Sequence, residues 1–178
     1  MKKLAKVFSI IVVAILMVSS LTGCTAGKGK KKDLTFDGDE GKITFSVNES
    51  ANFKISTDKK DLRTSREQGA LVGDNFKIGI EFCDDYKYFF DSDLNKLKEK
   101  RKDYDDYKEV NYGGVDGVQY FSGGYNCYVV MLPVSNDQSY YLALTIYGKE
   151  DKEEAAKEAI ANGEVLDILN SIKFEAKK

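Results

Sequence analysis

The acidic residues over 84–106 are the first candidates for chemistry, because carboxylates bind calcium and act as general acids and bases. The segment Asp91–Asn95, with oxygen ligands at alternate positions, has the spacing that opens a calcium-binding loop. The pattern then fails, because Lys96 stands where the sharp turn needs glycine and Lys102 replaces the bidentate glutamate. We therefore predict no metal site here and expect an N-cap followed by a solvated helix.

The amino-acid composition excludes several catalytic classes. The 178 residues include no His, which excludes Ser-His-Asp and Cys-His nucleophilic sites and His-ligated zinc. The glycine pairs at 113–114 and 123–124 lack the spacing of a phosphate-binding loop. Two carboxylates could act together in glycoside hydrolysis, but among 29 acidic residues any two can lie close by chance. We predict that the protein is not an enzyme and holds no cofactor, with a carboxylate-dependent hydrolase as the weakest alternative.

Tyrosine is unusually frequent, with 11 residues, and the chain has no Trp. An exposed tyrosine combines an apolar ring with a polar hydroxyl, which suits contacts with proteins or sugars. The alternative interpretation is packing, because a tyrosine in a strand packs against its cross-strand neighbours. Aromatic residues outside the predicted strands define a candidate binding surface, which consists of Tyr86, Tyr88, Phe89, Phe90, Tyr104, Tyr107 and Tyr112.

The first residues have the organisation of a secretory signal peptide over 1–23. Three lysines within the first six residues form a positive segment, and an apolar stretch of 12 residues follows over 7–18. This stretch is too short to cross a bilayer as a helix, which needs about 20 residues. The next residues, Leu21-Thr22-Gly23-Cys24, resemble the lipobox of bacterial lipoproteins. The resemblance implies cleavage between Gly23 and Cys24, a diacylglyceryl group on Cys24, and residence on the extracytoplasmic face of the cell membrane.

The charge balance changes along the chain. Residues 1–23 hold three of the 27 cationic residues and none of the 29 acidic ones, so the processed chain carries a net charge of −5. Residues 25–32 hold four more lysines, which leaves −9 for residues 33–178. Because nucleic acids are bound largely through phosphate neutralisation, we exclude nucleic-acid partners. Residues 24–32 are interpreted as the lipidated Cys and a flexible Lys-rich tether, whose lysines either lie on anionic headgroups or remain solvated.

Lipidation of Cys24 would leave Cys83 and Cys127 as the remaining thiols of an exported chain. Two such cysteines can form one disulfide, provided that their Cα atoms come within about 7 Å of each other. Small buried cysteines are also common in strands. The spacing of the two residues along the chain does not decide between a disulfide and two buried thiols.

Strands make up most of the elements that must position these residues. Alternation of apolar and polar residues predicts strands over 34–36, 43–47, 53–55, 70–72, 76–83, 115–121, 125–134 and 140–147. A polar loop is expected over 58–68. The short connections between the last three strands predict an antiparallel meander. The last two strands are apolar on both sides, which is typical of strands covered on both faces.

Three helices are predicted to cover the strands. One begins after the acidic residues that end at Asp93 and runs to about residue 103. A second helix runs over 151–161, and Asn162-Gly163 has the composition of a C-terminal cap. A third begins near Glu164 and carries apolar residues at helical spacing, which indicates one buried face.

The order of these elements resembles the PsbP/Mog1-like fold, an α/β/α sandwich found in several bacterial lipoproteins. The resembling segments are 43–47, 128–134, 141–148 and 168–174. The resemblance implies a single α+β domain over 33–178, with an antiparallel β-sheet flanked by helices. It also implies a non-enzymatic accessory or partner-binding role. Together with the predicted anchor, this leads us to expect an envelope protein as the partner. A binding protein for an envelope glycan or small solute is the alternative.

Overall fold

Ten strands and three helices are defined within residues 29–38, 40–83, 93–134 and 140–177, which are the residues that this computed structural model describes. The strands are β1 (Lys31–Asp37), β2 (Gly41–Asn48), β3 (Lys54–Ser56), β4 (Gly69–Val72), β5 (Phe76–Cys83), β6 (Lys108–Tyr112), β7 (Val115–Ser122), β8 (Cys127–Pro133), β9 (Tyr141–Gly148) and β10 (Lys173–Ala176). The helices are α1 (Leu94–Arg101), α2 (Glu153–Ala161) and α3 (Gly163–Asn170), and a single 3-10 turn occupies Gly123–Tyr125. The predicted α+β class is confirmed.

Seven strands form an antiparallel sheet in the order β3-β4-β5-β9-β8-β7-β6. The hairpin of β4 and β5 and the meander of β7, β8 and β9 pair as predicted. β9 lies at the centre because it pairs with β8 on one side and with the much earlier β5 on the other. Most residues of β8 and β9 are buried whichever face they point to, as their two-sided apolar sequence predicts.

A second antiparallel sheet contains β1, β2 and β10, with β2 in the middle. The prediction of one sheet is therefore incomplete, since the first two strands and the last strand form a layer of their own. Residues 31–178 form one compact unit, so folded structure begins two residues before the predicted boundary at 33. Lys31 belongs to β1 rather than to the predicted tether, and its ammonium group lies 3.6 Å from a carboxylate oxygen of Asp167.

The main core fills the space between the two sheets. Ile43 and Phe45 of β2 are fully buried against residues such as Ile78 and Leu144 on what we call the first face of the larger sheet. α2 and α3 close the same side with a row of buried apolar residues, namely Ala156, Ala159, Ile160, Val165, Ile168 and Leu169. α1 covers the opposite, second face, where Leu97 is buried in a smaller cluster. Helices therefore flank both faces of the larger sheet.

Polar side chains define the starts of two helices. Asp93 caps α1 as predicted, and its carboxylate accepts a hydrogen bond of 2.8 Å from the N–H of Asn95. Asn162 does end α2, but with an extended backbone (φ −68°, ψ 125°) rather than in the left-handed form of a glycine-type cap. Its side chain instead accepts a hydrogen bond of 2.8 Å from the N–H of Glu164. One asparagine therefore joins two helices directly, because it caps the start of α3.

Two edge strands lie where the sequence predicts none. β6, where a connection is expected, pairs with β7 at one edge of the larger sheet. β10 pairs with β2 at one edge of the smaller sheet. Across the residues that the structure describes, no helix has both the length and the apolar character needed to span a membrane.

Candidate functional site

The second face of the larger sheet carries an arginine that contacts two tyrosines. The guanidinium of Arg101, at the end of α1, lies 4.7 Å from the ring centroid of Tyr104 and 5.1 Å from that of Tyr120. The two rings meet edge to face at 4.8 Å, and Arg101 Nη1 donates to the Tyr104 hydroxyl at 2.5 Å. Tyr104 is 41% exposed, whereas Tyr120 is buried. A cation–π contact contributes about 0.5–1 kcal/mol at an exposed site, so these contacts hold the Tyr104 ring at the surface.

The connection from α1 to β6 is fixed to the ends of β7 and β8. Asp106 has a left-handed backbone (φ 52°), which Asp adopts more readily than most residues. Its Oδ2 accepts a hydrogen bond of 2.5 Å from the hydroxyl of Tyr128, which points to the first face. Burial raises the pKa of Tyr128, and the hydrogen bond to Asp106 raises it further, so the hydroxyl remains a donor at neutral pH. The N–H of Phe121 donates to the carbonyl of Asp105 at 2.8 Å. These contacts position Tyr104.

A buried carboxylate lies elsewhere on the second face. Glu67 is only 5% exposed, although it belongs to the polar segment that the sequence predicts as a loop. Its Oε1 accepts hydrogen bonds from the hydroxyls of Tyr147 at 2.7 Å and Thr145 at 2.8 Å. Its Oε2 accepts one from the backbone N–H of Arg63 at 2.7 Å. Gly79 provides the space, because a Cβ there would lie 2.4 Å from Glu67 Oε1. The three donors offset the cost of burying the carboxylate.

Arg63 covers the buried ring of Tyr147. Its guanidinium carbon lies 4.6 Å from the ring centroid, and it forms an ion pair with Asp151. Asp151 Oδ1 also accepts a hydrogen bond of 3.1 Å from the side-chain amide of Asn126. The Arg63 side chain is 25% exposed and that of Asp151 is 68% exposed, so water weakens their attraction. Contact with the Tyr147 ring therefore acts together with a weakened ion pair to fix the guanidinium at the surface.

The two arginine–tyrosine clusters lie close together on one surface. Cross-strand pairing places Tyr120 beside Val129 and Val129 beside Thr145, and Tyr147 lies two residues further along β9. With strands about 4.8 Å apart and a rise of about 3.3 Å per residue, the Cα atoms of Tyr120 and Tyr147 are ~12 Å apart. Half-buried Val129 lies between them. We call this surface the Arg–Tyr face, and it consists of Arg63, Arg101, Tyr104, Tyr120 and Tyr147.

The structure separates the members of the predicted tyrosine surface. Tyr104 lies on the Arg–Tyr face, and Tyr107 is half-buried against the apolar cluster beneath α1. Tyr112 must be removed from the surface, because it is 6% exposed in the main core and its hydroxyl donates to Gln119 Oε1 at 2.9 Å. The other predicted members of the surface lie outside the described residues, and these are Tyr86, Tyr88, Phe89 and Phe90. The predicted processing site at Gly23 and Cys24 also lies outside them.

Cys83 and Cys127 are both buried, and neither is part of a disulfide. Cys83 pairs with Tyr141 at the start of β9, whereas Tyr128, the neighbour of Cys127, pairs with Ile146 near its end. At about 3.3 Å per residue this offset alone separates the two cysteines by ~20 Å, well beyond the ~7 Å that a disulfide spans. The disulfide interpretation is therefore wrong. Burial raises the pKa of Cys127 to about 11, so its thiol stays protonated and unreactive at neutral pH.

An apolar cavity of about 440 Å³ lies between the larger sheet and β10. Its lining includes Val115, Leu132, Val134, Leu142 and Phe174. Sites for small molecules commonly have volumes of about 300–1,000 Å³, so this cavity is large enough for a small apolar solute. Within the described parts of the chain, no group of three or more Cys, Asp or Glu residues is placed to hold a metal ion.

The sequence does not single out four of the five residues of the Arg–Tyr face. Tyr120 and Tyr147 could have been found, because they alternate with core residues in strands that are apolar on both sides. Arg63 and Arg101 carry no such signal, because each lies in a charged segment like any solvated side chain. Comparison with known proteins does not help either, since no protein-family model and no curated protein matches the chain.

Proposed function

We propose that the chain is a lipid-anchored protein on the extracytoplasmic face of a bacterial cell membrane, where a PsbP/Mog1-like domain binds an envelope protein without catalysing a reaction. The observation that carries the anchor is Leu21-Thr22-Gly23-Cys24 after a short apolar stretch. A seven-stranded antiparallel sheet with helices on both faces supports the assignment to this fold. The Arg–Tyr face supports the binding role.

A diacylglyceryl group on Cys24 would hold the protein on the membrane without a spanning helix. Each buried CH₂ group contributes about 0.8 kcal/mol, yet one acyl chain alone gives only marginal and reversible binding. Two chains on one glycerol roughly double this favourable contribution. We therefore expect the anchored protein to stay on the membrane for its lifetime.

The composition and order of the Arg–Tyr face suit a protein partner. Arg and Tyr are enriched among the residues that contribute most to the stability of protein interfaces. Both arginines already lie against tyrosine rings, so little side-chain freedom would be lost on binding. The exposed Tyr104 ring beside the Arg101 guanidinium suits a partner that presents a carboxylate next to an apolar side chain.

Metabolic labelling with radioactive palmitate tests the anchor. We expect the wild type to incorporate label and to sediment with membranes, and we expect Cys24→Ala to do neither. Cys83→Ala is the matched control, because it removes a buried thiol of the folded domain and should leave the label in place. An unlabelled wild type together with a membrane-bound Cys24→Ala variant would contradict the proposal.

Site-specific photocrosslinking in intact cells tests the partner. A photoreactive residue in place of Tyr104 should crosslink reproducibly to one protein, and the same residue in place of Tyr140, which is 38% exposed, serves as the control. Arg101→Ala should weaken the crosslink at 104 while the protein remains in the membrane fraction. Equal crosslinking at both positions, or none at either, would count against a partner on the Arg–Tyr face.

The apolar cavity favours a second candidate function, the binding of a small solute. Val134→Trp should fill part of the cavity, because Val134 is half-buried in its lining. An apolar fluorescent probe that binds the native wild type but not this variant would support the second function. An envelope glycan would use the exposed Tyr104 ring instead, so competition by soluble glycan fragments for the crosslink at 104 would favour a glycan.

A further inference from the structure

β1 and β5 begin at the same end of the domain and finish at the same opposite end. β1 begins at one of these ends, where Lys32 Nζ donates to the carbonyl of Ala51 at 3.5 Å. Phe53, two residues further on, lies 5.4 Å from Phe76 at the start of β5, measured between ring centroids. Near the last residue of β1, Phe36 lies 6.3 Å from Phe82 at the end of β5. We call these the Lys31 end and the Asp37 end, after the first and last residues of β1.

The turn between β7 and β8 lies at the Lys31 end. Cross-strand pairing continues from Phe76 through β9 to Tyr128 and Phe121, which lie beside this turn. Tyr125 in the turn is 61% exposed, the highest value among the exposed large apolar side chains of the described residues. A Cβ added to the neighbouring Gly124 would meet no atom within 4 Å, so the tip of the turn is open to its surroundings.

The length of the tether limits which end can approach the bilayer. Seven Cα–Cα steps separate Cys24 from Lys31, which gives at most ~25 Å when extended and ~15 Å as a flexible coil. β1 itself spans about 20 Å from its first residue to its last. With the Asp37 end on the bilayer, Lys31 would stand about 20 Å above it, and the tether would be almost fully extended. With the Lys31 end on the bilayer, the tether keeps its coil dimensions.

We propose that the anchored domain stands with its Lys31 end on the bilayer and inserts Tyr125 into the headgroup layer. This inference rests on the lipidation of Cys24 proposed above. Tyrosine suits that depth, because its ring is apolar and its hydroxyl can remain hydrated. Exposed charges of both signs lie at this end, among them Asp74, Lys149, Asp151 and Lys152, and Asp151 accepts a hydrogen bond from the side chain of Asn126 beside the turn. The contact is therefore made by the Tyr125 ring with zwitterionic headgroups, and not by cationic attraction to anionic lipid.

Fluorescence quenching in phosphatidylcholine vesicles tests the orientation with the full lipidated chain. A fluorophore is attached through Gly124→Cys at the Lys31 end or through Glu175→Cys, which lies in β10 opposite Lys42 near the Asp37 end. Cys83 and Cys127 are buried and should remain unlabelled in the native protein. A quencher on the lipid headgroups should quench the label at 124 and leave the label at 175 unquenched, because 175 lies ~20 Å further from the headgroups.

Two further variants separate orientation from anchoring. Tyr125→Ser should reduce the quenching at 124 while the protein still floats with the vesicles. Insertion of about ten Gly and Ser residues into the tether should shrink the difference between 124 and 175, because the longer coil no longer restricts the domain. If the wild type does not float with vesicles, the proposed lipidation of Cys24 is refuted, and the proposed orientation is refuted as well because it depends on that lipidation. If the protein floats and the label at 175 is quenched as strongly as that at 124, or neither is quenched, the orientation alone is overturned.

Discussion

Glu67→Ala should destabilise the domain by about 3–5 kcal/mol, because the substitution removes the acceptor of three donors at once. The lost hydrogen bonds come from the hydroxyls of Tyr147 and Thr145 and from the N–H of Arg63, at 2.7, 2.8 and 2.7 Å. A hydrogen bond to a charged group contributes about 1.5–3 kcal/mol. Three bonds to one carboxylate are not additive, and water can enter the space that Ala leaves, so the sum is reduced. The loss is nevertheless a large fraction of the roughly 5–15 kcal/mol that stabilises a typical domain.

Two milder substitutions grade the effect. Glu67→Gln keeps one oxygen for the two hydroxyls but turns an amide group toward the N–H of Arg63, so we expect a cost of about 1–3 kcal/mol. Tyr147→Phe removes one donor and should cost about 1–2 kcal/mol. Glu67→Gln weakens the 2.7 Å hydrogen bond from Tyr147 by removing the charge of its acceptor, and Tyr147→Phe removes that bond altogether, so the double variant should lose about 0.5–2 kcal/mol less than the sum of the two.

Urea unfolding followed by circular dichroism measures these free energies, and an unchanged dependence on urea concentration indicates that stability alone has changed. Glu158→Gln is the matched control, because this exposed carboxylate on α2 should change stability by less than about 0.5 kcal/mol. A loss below about 1 kcal/mol for Glu67→Ala would refute the reasoning, since it would mean that water replaces the three hydrogen bonds without cost.

Three other predictions use the same unfolding assay. Asn162→Ala should cost about 0.5–2 kcal/mol, because its side chain caps α3, and an unchanged midpoint would contradict that role. Asp106→Asn should be tolerated, whereas Asp106→Ala should cost about 1–2 kcal/mol, because Ala offers Tyr128 no acceptor and fits the left-handed backbone less well. Equal losses of stability in the two variants would contradict this explanation. As pH rises from about 9 to 11, the free energy of unfolding of the wild type should fall more than that of Cys127→Ala. Burial raises the pKa of the Cys127 thiol in the folded protein to about 11, so only the unfolded chain loses the thiol proton in this range. That difference should reach about 2.7 kcal/mol at most, at 1.36 kcal/mol per unit of pKa, and identical pH profiles would contradict the buried, protonated thiol.

The sequence indicates most of the fold where buried residues recur with a simple period. Alternation identifies β2 and β5, and two-sided apolar runs identify the covered strands β8 and β9. β6 and β10 escape notice because they are edge strands with exposed, charged residues, and β10 is also held by pairing with the distant β2. The division into two sheets also depends on long-range pairing, which no local pattern reveals. The capping role of Asn162 could not be assigned either, because asparagine is common both at the end of a helix and at the start of one.

The candidate site was predictable only at its exposed edge. Tyr104 stands out because an aromatic residue in a polar connection is unusual. Glu67 and Arg63 look like solvated charges, because their partners are remote in sequence and Tyr147 follows Glu67 by 80 residues. The sequence also could not show whether Cys83 and Cys127 form a disulfide, because the distance between them depends on the register of β9 with β5 and β8.

The sheet that joins β1, β2 and β10 contains both extremities of the folded unit. β2 can acquire its second neighbour only after residues 173–176 have been synthesised, so this layer is incomplete in any shorter nascent chain. Pairing of β5 with β9 adds a second long-range closure, which is typical of slow folding. Termination before residue 173 would leave an open edge on β2 that invites aggregation with other chains.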